Sequence, residues 1–211
     1  MPDFLGDLPG DRLPLDEYRA DFRRRDFAVD GYDSWKLERR QDFQEPGDPS
    51  WRAYVEGDWA RSLRLIDAMR DDLLQLARTA AEHDTRMLRV RVVEFPVTPY
   101  LAWELHLLRL RAECGELIRV VGPDVIAPYE QDGPLPELVT LGPDTVYDIG
   151  YDADGVLDGA TRYTGRPVRE RVVEFIAGLY GRGEDIAGFM AREAGGLRPD
   201  GPRPAGARAG R

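Results

Sequence analysis

Between Met87 and Val121 the hydrophobic period changes twice, and that change constrains the fold more than any other feature of the chain. Residues 86–94 alternate: Leu88, Val90 and Val92 share one face of a strand, and Arg89 and Arg91 share the other. Thr98 followed by Pro99 is a helix start, and the helix runs to about Glu113 before Gly115 ends it. Residues 117–121 (Leu-Ile-Arg-Val-Val) return to strand composition. A strand, a crossover helix and a second strand make a right-handed parallel unit. This unit sets the architecture and places charged groups near a buried surface, but it names no reaction.

The flanking sequence extends that unit. Trp35-Lys36-Leu37-Glu38-Arg39 alternates as a short strand would. Asp48 and Pro49 open a short helix through Tyr54. Trp59, Leu63, Ile66, Met69, Leu73, Leu76 and Ala80 recur at spacings of three and four, which predicts one long helix lying flat on a sheet. After a proline-rich loop at 123–136, strands are expected at 138–141 and 145–150. The turn Asp152-Ala153-Asp154-Gly155 then leads into an antiparallel partner at 156–164. A C-terminal helix uses Val168, Val172, Phe175, Ile176 and Leu179, and a shorter one spans 184–194. The expected fold class is therefore α/β. It is a single three-layer domain over 32–194, with a mixed sheet of about five strands flanked by helices. Residues 1–31 read as a loosely ordered arm with one short helix near 15–27, and 195–211 as a disordered tail.

Composition narrows the function. The net charge is −10. That balance argues against duplex nucleic acid and against an anionic membrane surface, both of which need clustered positive charge. No apolar run has the length of a membrane span. Cys114 is the only cysteine, so no intrachain disulfide forms. Met1-Pro2-Asp3-Phe4 is acidic where a signal peptide would be basic, so the expected location is the cytoplasm.

Catalytic motifs are missing where they would be needed. Ser34, Ser50 and Ser62 are the only serines, and none sits in a nucleophile elbow. Cys114, His83 and His106 do not have zinc-ligand spacing. Lys36 is the only lysine and follows Trp35, not the glycine of a phosphate loop. The loop at 150–161 lacks both terminal ligands of a calcium loop. No catalytic residue, metal site or cofactor is expected.

One constellation remains. On the helix starting at Pro99, a rotation of about 100° per residue puts His106, Arg109 and Glu113 on one solvent-facing stripe. Glu104 falls opposite, among Tyr100, Leu101, Leu107 and Leu108. A carboxylate aimed into protein needs a partner or a raised pKa. Arg89, Arg91 and Arg119 on the flanking strands are the nearest candidates, and Arg111 is another. The architectural reading is an ion pair pinning helix to sheet. The functional reading is a polar pocket at the carboxyl ends of the strands, with Trp103, Tyr100, Trp35 and Glu38 around it. The architectural reading takes precedence, with core packing the default for the aromatic residues.

These same segments resemble an uncharacterised actinobacterial family. Trp35-x-Leu37-Glu38, Arg89-Val90-Arg91-Val92-Val93, Pro99-Tyr100-Leu101-x-Trp103-Glu104 and Gly115-Glu116-Leu117-Ile118-Arg119 are similar to its R-V-R-V-V strand, Y-L-x-F/W-E helix and G-E-x-I-R strand. Val146-Tyr147-Asp148 and Asp154-Gly155 match a later strand and turn loosely, so the resemblance runs from about Trp35 to Tyr180. It brings no activity with it. Members are often encoded beside helix-turn-helix regulators, which implies a role in transcriptional or developmental control. The strand pattern is also distantly similar to half of a phospholipase D-like domain. The H-x-K motif of that superfamily is absent, since neither His83 nor His106 has lysine two residues on.

The expectation is a non-catalytic binding or regulatory protein. It would act with a partner protein such as a transcriptional regulator, or sense a small anionic ligand, without contacting nucleic acid or membrane. The alternatives are an enzyme using Glu104 and the arginines as an anion-binding acid/base site, and a structural protein that self-associates through its sheet edge.

Overall fold

The computed structural model describes residues 5, 8–26 and 28–193. The elements run β1 (Asp11–Pro14), α1 (Leu15–Asp26), β2 (Ser34–Glu38), α2 (Pro49–Val55), α3 (Trp59–Asp67), α4 (Arg70–Glu82), β3 (Met87–Val92), α5 (Pro99–Glu113) and β4 (Leu117–Val121). They continue with α6 (Pro123–Ile126) and a 3-10 turn (Ala127–Tyr129), then β5 (Leu138–Leu141), β6 (Thr145–Tyr151), β7 (Leu157–Thr164), α7 (Arg166–Arg182), β8 (Glu184–Asp185) and α8 (Ile186–Glu193).

All strands join one mixed sheet in the order β1-β7-β6-β5-β2-β3-β4-β8. β2, β3 and β4 are parallel and every other pairing is antiparallel. The sheet has eight strands where about five were expected. Six of the eight correspond to segments read as strands, and the two that sequence reading misses are its edges. β1 and β8 are short and carry no alternating pattern, so only their hydrogen bonds to β7 and β4 make them strands. The segment expected as a loose arm accordingly contains β1 and a docked α1 from Asp11 to Asp26, and the expected tail lies outside the described residues.

One face of the sheet packs α7. Leu37, Val90, Val92, Val121, Leu138 and Val146 meet Val168, Val172, Ile176 and Leu179 there. The other face carries the remaining long helices. α1 covers Val139, Leu141 and Tyr147 through Tyr18 and Phe22. α5 lies over β3 and β4 and is apolar nearly all round, as a helix enclosed by protein must be. Leu101, Leu105 and Leu108 contact α8, while Tyr100, Trp103 and Leu110 contact α2, α3 and α4.

The expected long helix over Trp59 to Ala80 is two helices, α3 and α4, broken at Ala68 and Met69. Its apolar spacing continues through the break, with no glycine or proline to mark it. These helices pack on α5 and its aromatic cluster instead of lying flat on the sheet. The hairpin between β6 and β7 turns where expected. Asp152 Oδ1 accepts from the amides of Asp154 and Val156, and Gly155 takes φ 82°.

Candidate functional site

Arg89 and Arg91 alternate with Leu88, Val90 and Val92, so their side chains leave β3 on the α5 face. Both are buried. A buried guanidinium must find anionic and carbonyl partners, and β2, α5 and the turn before β4 supply them. Arg89 Nη1 donates to Glu38 Oε2 at 2.7 Å, and its Nε donates to Glu116 Oε1 at 2.6 Å. Arg111 Nε donates to the other oxygen of Glu116. Lys36 closes an ion pair with Glu38 Oε1. Arg91 Nε donates to Glu104 Oε2 at 2.7 Å, and its Nη1 reaches the carbonyls of Glu38 and Val92 at 3.2 and 3.3 Å. The Tyr100 hydroxyl donates to Glu104 Oε1 at 3.2 Å.

The electrostatics follow from burial and these partners. Burial pushes the Glu104 carboxyl up, and Arg91 only partly offsets it. Burial acts the same way on Glu38, but Arg89, Lys36 and Arg91 together outweigh it and hold that carboxyl well below the usual range. Glu116 is likewise lowered, because Arg89 and Arg111 overcome its desolvation.

Arg89, Arg91, Glu38, Glu104 and Tyr100 therefore share one polar layer, and the other predicted residues stand apart. Arg119 pairs in register with Val90, which puts it on the α7 face. There its guanidinium lies 4.7 Å from the Tyr180 ring centroid and donates to the carbonyls of Tyr180 and Gly183. Trp35 pairs with Leu88 and also faces α7, edge-on to Tyr180. Trp103 is buried in the aromatic cluster, and its Nε1 donates to Ser50 Oγ at 3.1 Å. His106 is not on a solvent stripe: its ring packs edge-on against Trp59, and burial lowers its pKa to about 4.

Sequence reading missed Glu116 and Glu137. The available signal was electrostatic: two arginines on one buried strand face need more than one carboxylate. Glu137 sits at the start of β5, beside Glu38, and its Oε1 accepts the amides of Arg39 and Arg40 at 2.8 and 2.6 Å.

The layer is closed at the carboxyl ends of β2 and β3, where an α/β sheet would be expected to bind its ligand. Arg91 is 0% and Glu104 4% exposed, beneath Phe43 and Tyr100. Glu104, Arg91 and Arg119 do not open into a common pocket. The layer meets a hollow elsewhere. Arg89, Lys36, Arg111 and Glu116 border a cleft of about 190 Å³ whose other walls include Tyr18, Phe22 and Leu141. Asp26, Ser34 and Met87 connect it to a second hollow of about 100 Å³ against Leu76, Ala80 and His83. Ser34 and Met87 begin β2 and β3, so this cleft lies at the amino ends of the parallel strands. Among the described residues no grouping of His, Cys, Asp and Glu could hold a metal ion, and no helix is long and apolar enough to cross a membrane.

Residues 22–191 match the family model for a domain of unknown function, DUF6879. The chain belongs to that family. The match takes in the whole polar layer, the cleft beside it apart from Tyr18, and most of the sheet. No curated protein matches the sequence. Among solved structures, the chain is similar to TrmBL2, an archaeal chromatin protein described as showing a novel mode of DNA binding. Identity is 8% and the TM-score 0.42, over 85% of this chain and 55% of that one. The chain thus spans little more than half of that structure. The expected exclusion of nucleic acid does not stand. Net charge is a sum over the chain and does not describe local charge, so a value of −10 is not grounds for that exclusion. At this TM-score the likeness itself carries nothing about partners.

Proposed function

We propose that this is a non-catalytic binding protein that senses a small ligand in the cleft between α1 and the amino ends of β2 and β3. The carrying observation is that this cleft combines an apolar wall with the edge of the buried ion layer. Tyr18, Phe22, Val139 and Leu141 offer apolar surface, and Lys36, Arg111 and Glu116 offer polar contacts. Few convergent polar groups in an apolar hollow is the usual composition of a ligand site. The volume suits a compact molecule with an apolar body and one polar end. Arg111 engages Glu116 through Nε alone among the described hydrogen bonds, which leaves it donors for such an end.

Two features argue against acid/base chemistry by Glu104 and the arginines. Glu104, pushed up by burial, has no access to the cleft, and the carboxyl raised by burial that does line it is Asp26. Glu38 and Glu116, which lie near the cleft, are each held by two cations. α1 forms one wall of the cleft, and this supports a sensing role, since a bound ligand would change how firmly α1 is docked.

The test is a thermal-shift screen of small organic molecules, followed by calorimetric titration of each stabilising compound. Ser34→Phe is placed to fill the junction of the two hollows. Saturable binding that this variant abolishes is the expected result. A screen with no saturable binder, or binding that Ser34→Phe leaves intact, overturns the assignment.

A further inference from the structure

The segment 39–48, between β2 and α2, is a strap across the carboxyl ends of β2 and β3. Arg39 is tied to Glu94 and Glu130. Gln41 donates to the carbonyl of Val92 at 3.0 Å and accepts the amide of Glu94 at 2.8 Å. The carbonyl of Gln41 accepts from Thr98 Oγ1 at 2.6 Å. Phe43 lies between Tyr100, edge-on, and Tyr151, tilted, with centroid distances of 5.2 and 4.5 Å. Beneath the strap lie Arg91 and Glu104.

One anchor of the strap is a buried carboxyl group. Glu137 Oε1 takes two successive strap amides, those of Arg39 and Arg40, while Glu137 Oε2 is buried with no hydrogen-bond partner. The residue is 5% exposed. The charged and titratable groups that act on it are Glu38 on β2, Arg91 on β3 and Tyr151 on β6, with the amides of Arg39 and Arg40 on the strap. Arg91 Nη2 is also buried and unpartnered, so Arg91, the cation that acts on Glu137, does not complete the carboxylate.

We propose that Glu137 is a proton-operated latch: protonated, it holds the strap closed over the Arg91–Glu104 pair, and ionised, it favours release of the strap. The physical reason lies in the bare oxygen. A neutral acid can accept both amides through its carbonyl oxygen. An ionised one must keep charge on Oε2 in a dry site without a donor, and release of the strap lets water solvate it.

Burial, offset by Arg91 and the two amides and reinforced by Glu38, pushes the Glu137 carboxyl up to about 7. With the strap released, the group returns to its ordinary value of 4.5. The closed strap is therefore favoured most below 4.5, and that preference is lost as pH rises through about 7.

Hydrogen exchange of the Arg39 and Arg40 amides tests the latch, after correction for the intrinsic pH dependence of exchange. Their protection relative to amides of β3 is expected to fall at least about tenfold between pH 5 and 8, since one unit of pKa difference is worth a factor of ten. Glu137→Gln keeps the accepting oxygen and cannot ionise, so its protection should be flat across that range. Protection independent of pH in the wild type, or an equal fall in Glu137→Gln, overturns the proposal. A carboxyl carbon titration of the wild-type protein by NMR gives a second readout. A midpoint for Glu137 near its raised value supports the latch, and one at the ordinary glutamate value overturns it.

Discussion

Arg91 and Glu104 meet at 2.7 Å in a layer that water does not reach, one from the middle of the parallel sheet and one from the helix that crosses it. The helix is thereby held to the strand by charge, inside a contact that is otherwise aromatic and aliphatic. Such a pair is weak evidence for net stability, because desolvation opposes the attraction. Breaking it strands a buried charge.

Glu104→Ala should therefore destabilise the fold by about 3–5 kcal/mol, measured by urea denaturation. The double replacement Arg91→Met with Glu104→Leu should recover most of that loss, because it removes both charges together. If the double variant is as unstable as the single one, the pair contributes through something other than charge burial.

Arg119 and Glu104 sit on opposite faces of the sheet, so their contributions should be independent. In a double-mutant cycle, Arg119→Ala and Glu104→Gln are expected to add within about 0.5 kcal/mol. A larger coupling would place both in one network, contrary to the register that sets Arg119 beside Val90.

His106 is neutral in the fold, with its pKa lowered to about 4 by burial first and by Arg109 second. A histidine lowered in the folded state stabilises above its ordinary value of 6.5 and loses that contribution as pH falls toward 4. His106→Phe should flatten the stability profile between those values, as read by thermal unfolding at stepped pH. An unchanged slope would mean the ring is already hydrated.

Asp21 ties α1 to the sheet. Its carboxyl accepts from the Tyr147 hydroxyl at 2.7 Å and from Arg162 and Arg25, each at 3.0 Å. Burial raises its pKa, but these donors prevail and hold it at about 2. The stabilisation is present above the ordinary value of 3.8 and is lost as pH falls through about 2. Asp21→Asn should loosen α1 at neutral pH, seen as faster proteolysis between α1 and β2, while the α5 and α7 amides keep their exchange protection. Uniform loss of protection would mean that α1 is part of the global folding unit.

Legibility followed the range of the interactions. The parallel unit from β3 to β4, the caps at Asp48 and Thr98 and the turn at Gly155 all depend on neighbours a few residues apart, and all stand where the pattern puts them. The inward turn of Glu104 was also legible, because helical rotation alone places it opposite Arg109. The partner of each charge was not. Residues 117–121 are apolar on both faces, so nothing local says which face takes Arg119. Glu116 and Glu137 lie at strand ends, outside any alternation, and the break between α3 and α4 leaves the apolar spacing intact.

The sequence by itself determined which side chains had to leave water: the alternation in β3 commits two guanidinium groups to a buried face, and the acids needed to accompany them are present in the chain. The tertiary structure alone decided which acid meets which arginine, which end of the strands stays open, and that two short edges complete the sheet. Alternation and rotation are set by the backbone over a few residues, whereas pairing depends on strand register and helix packing, which bring together groups such as Arg89 and Glu38 from 51 residues apart.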